Sequence, residues 1–204
     1  MLNKDNTTRD DKNNRQKTKT VKKPRKITPD YLHNAGLYYL ERFSSSVANF
    51  KRVMKRKIDR SCQFHETETG PAYEMLDAVT EKFVTLGLLN DEIYSRSKTT
   101  SLRRKGGSRR KIQLKLREKG LDGDTIDQSL AQVDAEALSN GEDPELNAAM
   151  AYIKRRRIGP FRRKQDEKAA DKDLASLARA GYSYDIAKKA LERITQSVHN
   201  NDIF

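Results

Sequence analysis

The stretch from Tyr152 to Leu191, YIKRRRIGPFRRKQDEKAADKDLASLARAGYSYDIAKKAL, sets a dense basic stripe between two apolar segments of helical period. A weaker copy lies about sixty residues earlier: Tyr94 stands to Leu116, Gly120 and Leu130 much as Tyr152 stands to Leu177, Gly181 and Leu191. Internal repetition at such a period marks stacked helical units, each too small to bury its own apolar face. Cationic edges on such a stack suit a polyanion or an extended partner better than a catalytic pocket.

Composition narrows the fold further. Of 204 residues 35% are hydrophobic and 35% charged, against roughly 45–50% (counting glycine) and 25% in soluble domains. A thick core is out of reach, and with few glycines and prolines and no β-branched runs, helices held by thin apolar stripes are expected: an all-α chain. The net charge of +13 favours nucleic acid or an acidic protein surface as partner.

The lone Cys62 allows no intramolecular disulfide and suits a reducing compartment. With His65 it forms one C-x-x-H fragment, and His33 and His199 stand alone, so neither a metal nor another cofactor is expected; both Cys62 and His65 read as loop residues. The longest apolar run, Phe83 to Leu89, falls far short of the roughly 18 residues of a membrane span. Without a signal-peptide pattern, a cytoplasmic protein is expected.

Residues 1–26 carry ten basic and three acidic side chains and almost no apolar ones, which predicts a disordered cationic arm, either a solvated tail or a tether to phosphate. Thr28-Pro29-Asp30 opens the first helix, with Leu32, Ala35, Tyr39, Leu40 and Phe43 on one face. Ser44 to Ser46 separate it from a second, striped by Val47, Phe50, Met54 and Ile58. A loop is expected from Asp59 to Gly70, then a third helix burying Ala72, Leu76, Val79, Phe83 and Leu86.

The same rhythm recurs twice. Asn90 or Asp91 caps a helix running to Gly106-Gly107, Ser108 opens a basic helix with Ile112 and Leu116 inside, and Ile126, Leu130, Val133 and Ala137 line the sixth. Asp143-Pro144 starts a seventh that Gly159-Pro160 ends; an eighth stops at Gly181, and Ser183 caps a ninth. The predicted organisation is the arm at 1–26 and three three-helix repeats at 28–89, 90–140 and 143–198, stacked into an elongated, curved body of one chain.

Three basic clusters are the candidate binding residues: Arg103, Arg104 and Lys105; Arg109, Arg110 and Lys111; and Lys154, Arg155, Arg156 and Arg157 with Arg162, Arg163 and Lys164. Arginine dominates the last group and favours bidentate grips on phosphate or carboxylate. The alternative is a solubilising surface paired locally with Asp166 and Glu167. Tyr38, Tyr39, Tyr94, Tyr152 and Tyr182 sit at helical spacing among aliphatic neighbours and read as core or junction residues, whereas Phe161 is expected to be exposed. No nucleophile and base, paired carboxylates or phosphate-cradling loop can be assembled, so no enzyme is expected.

These residues resemble the RecX family of bacterial recombinase regulators over roughly residues 30 to 195. The resemblance is strongest in AMAYIKRRRIGPFR and KDLASLARAGYSYDIAKKAL, clear in YLERFSSSVANFKRVMKRKI, and present in LGLLNDEIYS and SRRKIQLKLREKGL. Tyr182 and Ser95 depart from its pattern, where Phe and Ala are expected. The resemblance implies three helical repeats lying along the groove of a RecA filament on single-stranded or double-stranded DNA, lowering strand exchange, ATPase and coprotease output. A sequence-nonspecific binder of DNA or structured RNA is the other reading.

Overall fold

The computed structural model describes residues 23–162 and 169–199. Residues 1–22 of the basic arm lie outside the described residues, as do Arg163, Lys164, Asp166 and Glu167. Among the described residues the chain is all-α: α1 (Pro29–Leu40), α2 (Val47–His65), α3 (Gly70–Thr85), α4 (Asp91–Arg104), α5 (Arg109–Arg117), α6 (Gly123–Ser139), α7 (Pro144–Arg156), α8 (Ala169–Arg179) and α9 (Tyr184–His199), with a 3-10 turn at Gly159–Phe161.

Short polar side chains start these helices by accepting from backbone N–H groups that lack a helical partner. Thr28 accepts from Tyr31 N at 3.1 Å, Ser46 from Asn49 N at 3.2 Å, Asn90 from Ile93 N at 2.9 Å and Ser108 from Lys111 N at 3.2 Å. Buried apolar side chains then gather into three separate clusters. Leu32, Phe50, Met54, Leu76 and Phe83 anchor the first, Ile112, Leu116, Ile126 and Leu130 the second, and Ala149, Ile153, Leu177, Ala190 and Ile194 the third. In each unit the third helix packs on the other two: α3 on α1 and α2, α6 on α4 and α5, α9 on α7 and α8.

The middle cluster is the thinnest, and buried hydroxyls complete it. Ser129 Oγ lies 2.8 Å from Ser95 Oγ and 3.1 Å from Thr99 Oγ1, and donates to Ile126 O at 2.9 Å. Each buried polar atom in this net has a partner, so the departure at Ser95 is compensated where it occurs.

Three local expectations change. The helix of Val47 does not end at Asp59; it runs to His65, because Ser61 and Cys62 continue the buried stripe of Met54 and Ile58, and Glu66 ends it in the left-handed conformation (φ 54°). Polar composition hid this last turn. Alongside it, Arg25 O accepts from Ser61 Oγ at 2.6 Å and Pro24 O bonds His65 Nε2 at 3.0 Å. Phe43 and Leu86 lie outside, past the last turns of α1 and α3, while Phe161 is partly buried on the third cluster.

Candidate partner-binding surface

One device joins the units at both junctions. Ser46, at the N-cap of α2, donates its hydroxyl to Lys119 O at 2.5 Å; Ser108, at the N-cap of α5, donates to Ala180 O at 2.6 Å. The next backbone N–H donates to a carboxylate at the start of the following unit. Val47 N meets Asp91 Oδ1 at 2.8 Å, and Arg109 N meets both Glu145 oxygens at 3.1 Å. Gly120 and Gly181 follow the accepting carbonyls with φ of 79° and 93°. A Cβ on Gly120 would stand 2.4 Å from Ala48 Cβ, and one on Gly181 2.7 Å from Ser108 Oγ, so both positions exclude a side chain.

The second junction carries additional ties. Arg103 reaches Asp134 through two bonds of 2.9 and 2.7 Å, Glu145 at 2.6 Å and Gly107 O at 3.0 Å, with its side chain only 10% exposed. Burial alone would weaken its hold on the proton, but the two carboxylates more than reverse this and raise its pKa. Tyr182 donates to Gly106 O at 3.0 Å and meets Tyr152 edge to face at 6.0 Å. Arg103 is therefore a tie between units rather than a free cation. Arg162 is likewise committed, paired with the buried Asp173, which also accepts from Gly159 N at 3.0 Å and clips the 3-10 turn to α8.

The other described candidates face outward. Arg104 and Lys105 are exposed at the end of α4, Arg110 at the start of α5, and Lys154, Arg155, Arg156 and Arg157 at the end of α7. Arg109 pairs with Asp127 at 2.9 Å, both about half exposed. Across the junction, Tyr152 collects charge from two units. Arg155 lies 5.8 Å from its ring centroid, and although burial pushes the phenol pKa up, the hydrogen bond with Ser176 and the nearby charges of Arg156 and Lys111 pull it below its usual value. Lys111 of the second unit and Arg155 and Arg156 of the third thus share one patch.

The outer row of α2, formed by Arg52, Arg56 and Arg60, also faces solvent and was not nominated from the sequence. Its signal was present in KRVMKRKIDR as a four-residue spacing of arginines. A groove of about 590 Å³ at the second junction is lined by Arg103, Arg110, Asp134, Glu145 and Ser183, and its carboxylates Asp134 and Glu145 are the ones that hold Arg103. No group of three metal-ligating side chains occurs among the described residues, and no helix there is long and apolar enough to cross a membrane.

Residues 90–130 match the family model described as RecX, second three-helix domain. The chain is 40% identical over 180 residues to the Regulatory protein RecX of Myxococcus xanthus, covering 87% of this chain and 93% of that one. It is 26% identical over 175 residues to the protein of the same name from Agrobacterium fabrum, covering 83% and 86%. Two solved structures share the fold. A crystal structure of regulatory protein RecX gives a TM-score of 0.56 at 17% identity over 80% of this chain and 71% of that one, and RecX from Lactobacillus salivarius gives 0.53 at 19% over 82% and 97%.

Proposed function

The chain belongs to the RecX family of regulatory proteins, and from that premise we propose that it binds a RecA-type recombinase filament on DNA and lowers its strand-exchange, ATPase and coprotease output. The patch around Tyr152 carries this reading: Lys111, Arg155 and Arg156 come together from two units, and none of the three forms an ion pair with a carboxylate among the described residues. Such a surface attracts rows of acidic side chains or phosphate. A rigid junction holds the cations in fixed register, so the ordering cost is met on folding instead of on binding. Protein bound across adjacent recombinase subunits would favour an inactive or disassembling filament by its differential affinity for that state.

Replacing Arg155, Arg156 and Arg157 together by alanine should weaken inhibition of recombinase ATP hydrolysis on single-stranded DNA while the circular dichroism spectrum stays that of the parent. Full inhibition by that variant removes these arginines from the site. Affinity for filament above that for bare DNA at matched salt separates this reading from nonspecific nucleic-acid binding.

A further inference from the structure

We propose that α5, the turn that follows it and the outer row of α2 form one continuous track for the phosphodiester backbone of a nucleic-acid strand, with Lys111, Lys115 and Lys119 supplying one half and Arg52, Arg56 and Arg60 the other. The track rests on the proposed function only in taking nucleic acid to be part of the partner.

Continuity follows from the first junction. Arg52 donates to Asn49 Oδ1 at 2.8 Å and to Glu118 O at 3.1 Å, and Lys119 Nζ donates to the same Asn49 oxygen at 3.2 Å. The last cation of one row and the first of the next therefore converge on one neutral atom. Two like charges at such a point repel, and the C-terminal carbonyl of Glu118 offsets only part of this. An anion seated between them would complete the arrangement.

Neutralisation elsewhere on α2 sharpens the point. Lys51 pairs with Asp77 at 2.8 Å, Lys55 lies 4.6 Å from the Tyr73 ring centroid, and Asp59 accepts from Tyr73 at 2.5 Å. The row toward α3 is thus occupied, whereas none of the six track cations has a carboxylate partner among the described residues. Successive cations rise about 6 Å along a helix, close to every second phosphate of a strand whose charges fall about 3.4 Å apart along the axis. Along this track a run of six cations, with Leu114 the exposed aliphatic of α5 beside it, suits a row of phosphates better than the aromatic-rich centre of a protein–protein interface. A phosphate backbone is the partner these properties fit.

The test substitutes exposed members only: R56Q, R60Q and K115Q in one full-length chain. Binding to a fluorescent oligothymidylate should weaken by about tenfold or more, and the salt dependence should become shallower by about 2, from three contacts of about 0.7 each. Melting by circular dichroism should not change. Affinity within about twofold of the parent, or an equal loss toward a polyglutamate peptide, overturns the track. The regulator reading falls on a different result, parent protein that leaves recombinase filament activity untouched, so the two can fail separately.

Discussion

The junction between the first and second units and the one between the second and third share a serine hydroxyl on a carbonyl, a backbone N–H on a carboxylate and a glycine that admits no side chain. They differ in what surrounds that device. At the second junction Arg103 ties Asp134 and Glu145 together out of solvent and Tyr182 closes the gap beside it. At the first, the cross-unit bonds of Arg52 and Lys119 go to neutral oxygens, an exposed carbonyl of Glu118 and the side-chain oxygen of Asn49. The repeat thus sets where units touch, and side chains outside the repeat set how firmly they hold.

Removing Arg103 should give the largest separation between the junctions. Arg103→Ala leaves Asp134 and Glu145 facing each other with little solvent, and breaking a buried ionic network from one side costs about 3–5 kcal/mol. Urea unfolding should show an unfolding free energy lowered by that amount, with the midpoint falling in proportion. The triple variant Arg103→Met, Asp134→Leu, Glu145→Gln should recover most of it, since replacing all partners removes the uncompensated charge. A near-neutral Arg103→Ala would mean the second junction is held by its backbone device alone.

Next come the glycines. Alanine at either position must adopt a left-handed conformation, costing about 1–2 kcal/mol, and must displace its neighbour. Gly120→Ala meets Ala48 Cβ, which moves only if α2 moves, whereas Gly181→Ala meets Ser108 Oγ and endangers its bond to Ala180 O. Both should destabilise, Gly120→Ala more, because its clash is closer and is with an atom fixed to the helix backbone. The reverse order in thermal unfolding would show that the second junction is the less forgiving one.

The repeat was legible because it rests on local signals: caps at Thr28, Ser46, Asn90 and Ser108, and apolar spacing between them. Arg103 was read as a surface cation because its partners lie 31 and 42 residues away and leave no periodic trace. The departures at Tyr182 and Ser95 were visible without their reason, which is a carbonyl of Gly106 in the turn between α4 and α5 and a hydroxyl of Ser129 on α6. The same limit applies to α2, whose final turn replaces aliphatic residues with Ser61 and Cys62. Local pattern specifies elements; polar contacts across units decide which charged side chains remain available to a partner.

The carboxylates at the two junctions offer the finest distinction, because the same role is filled under opposite electrostatics. Asp91 accepts from Val47 N without an ion-pair partner among the described residues, and burial, opposed by the Val47 N–H and helped by Asp122, lifts its carboxyl above the ordinary value. A folded state that holds this proton more tightly than the unfolded chain is favoured below the unfolded pKa and loses that contribution as pH rises through the folded pKa. At neutral pH the charge is therefore a small liability. Asp91→Asn keeps an acceptor oxygen and removes the charge, so it should raise stability at pH 7 by a few tenths of a kcal/mol, reduced by solvent screening of a half-exposed group. The difference should shrink toward zero at acid pH, where Asp91 itself is neutral. Glu145→Gln should act in the opposite sense, lowering stability at pH 7, because there the charge is matched by Arg103 at 2.6 Å. Paired unfolding curves at two pH values read both signs, and two changes of the same sign would show that the junctions do not differ in the way their partners indicate.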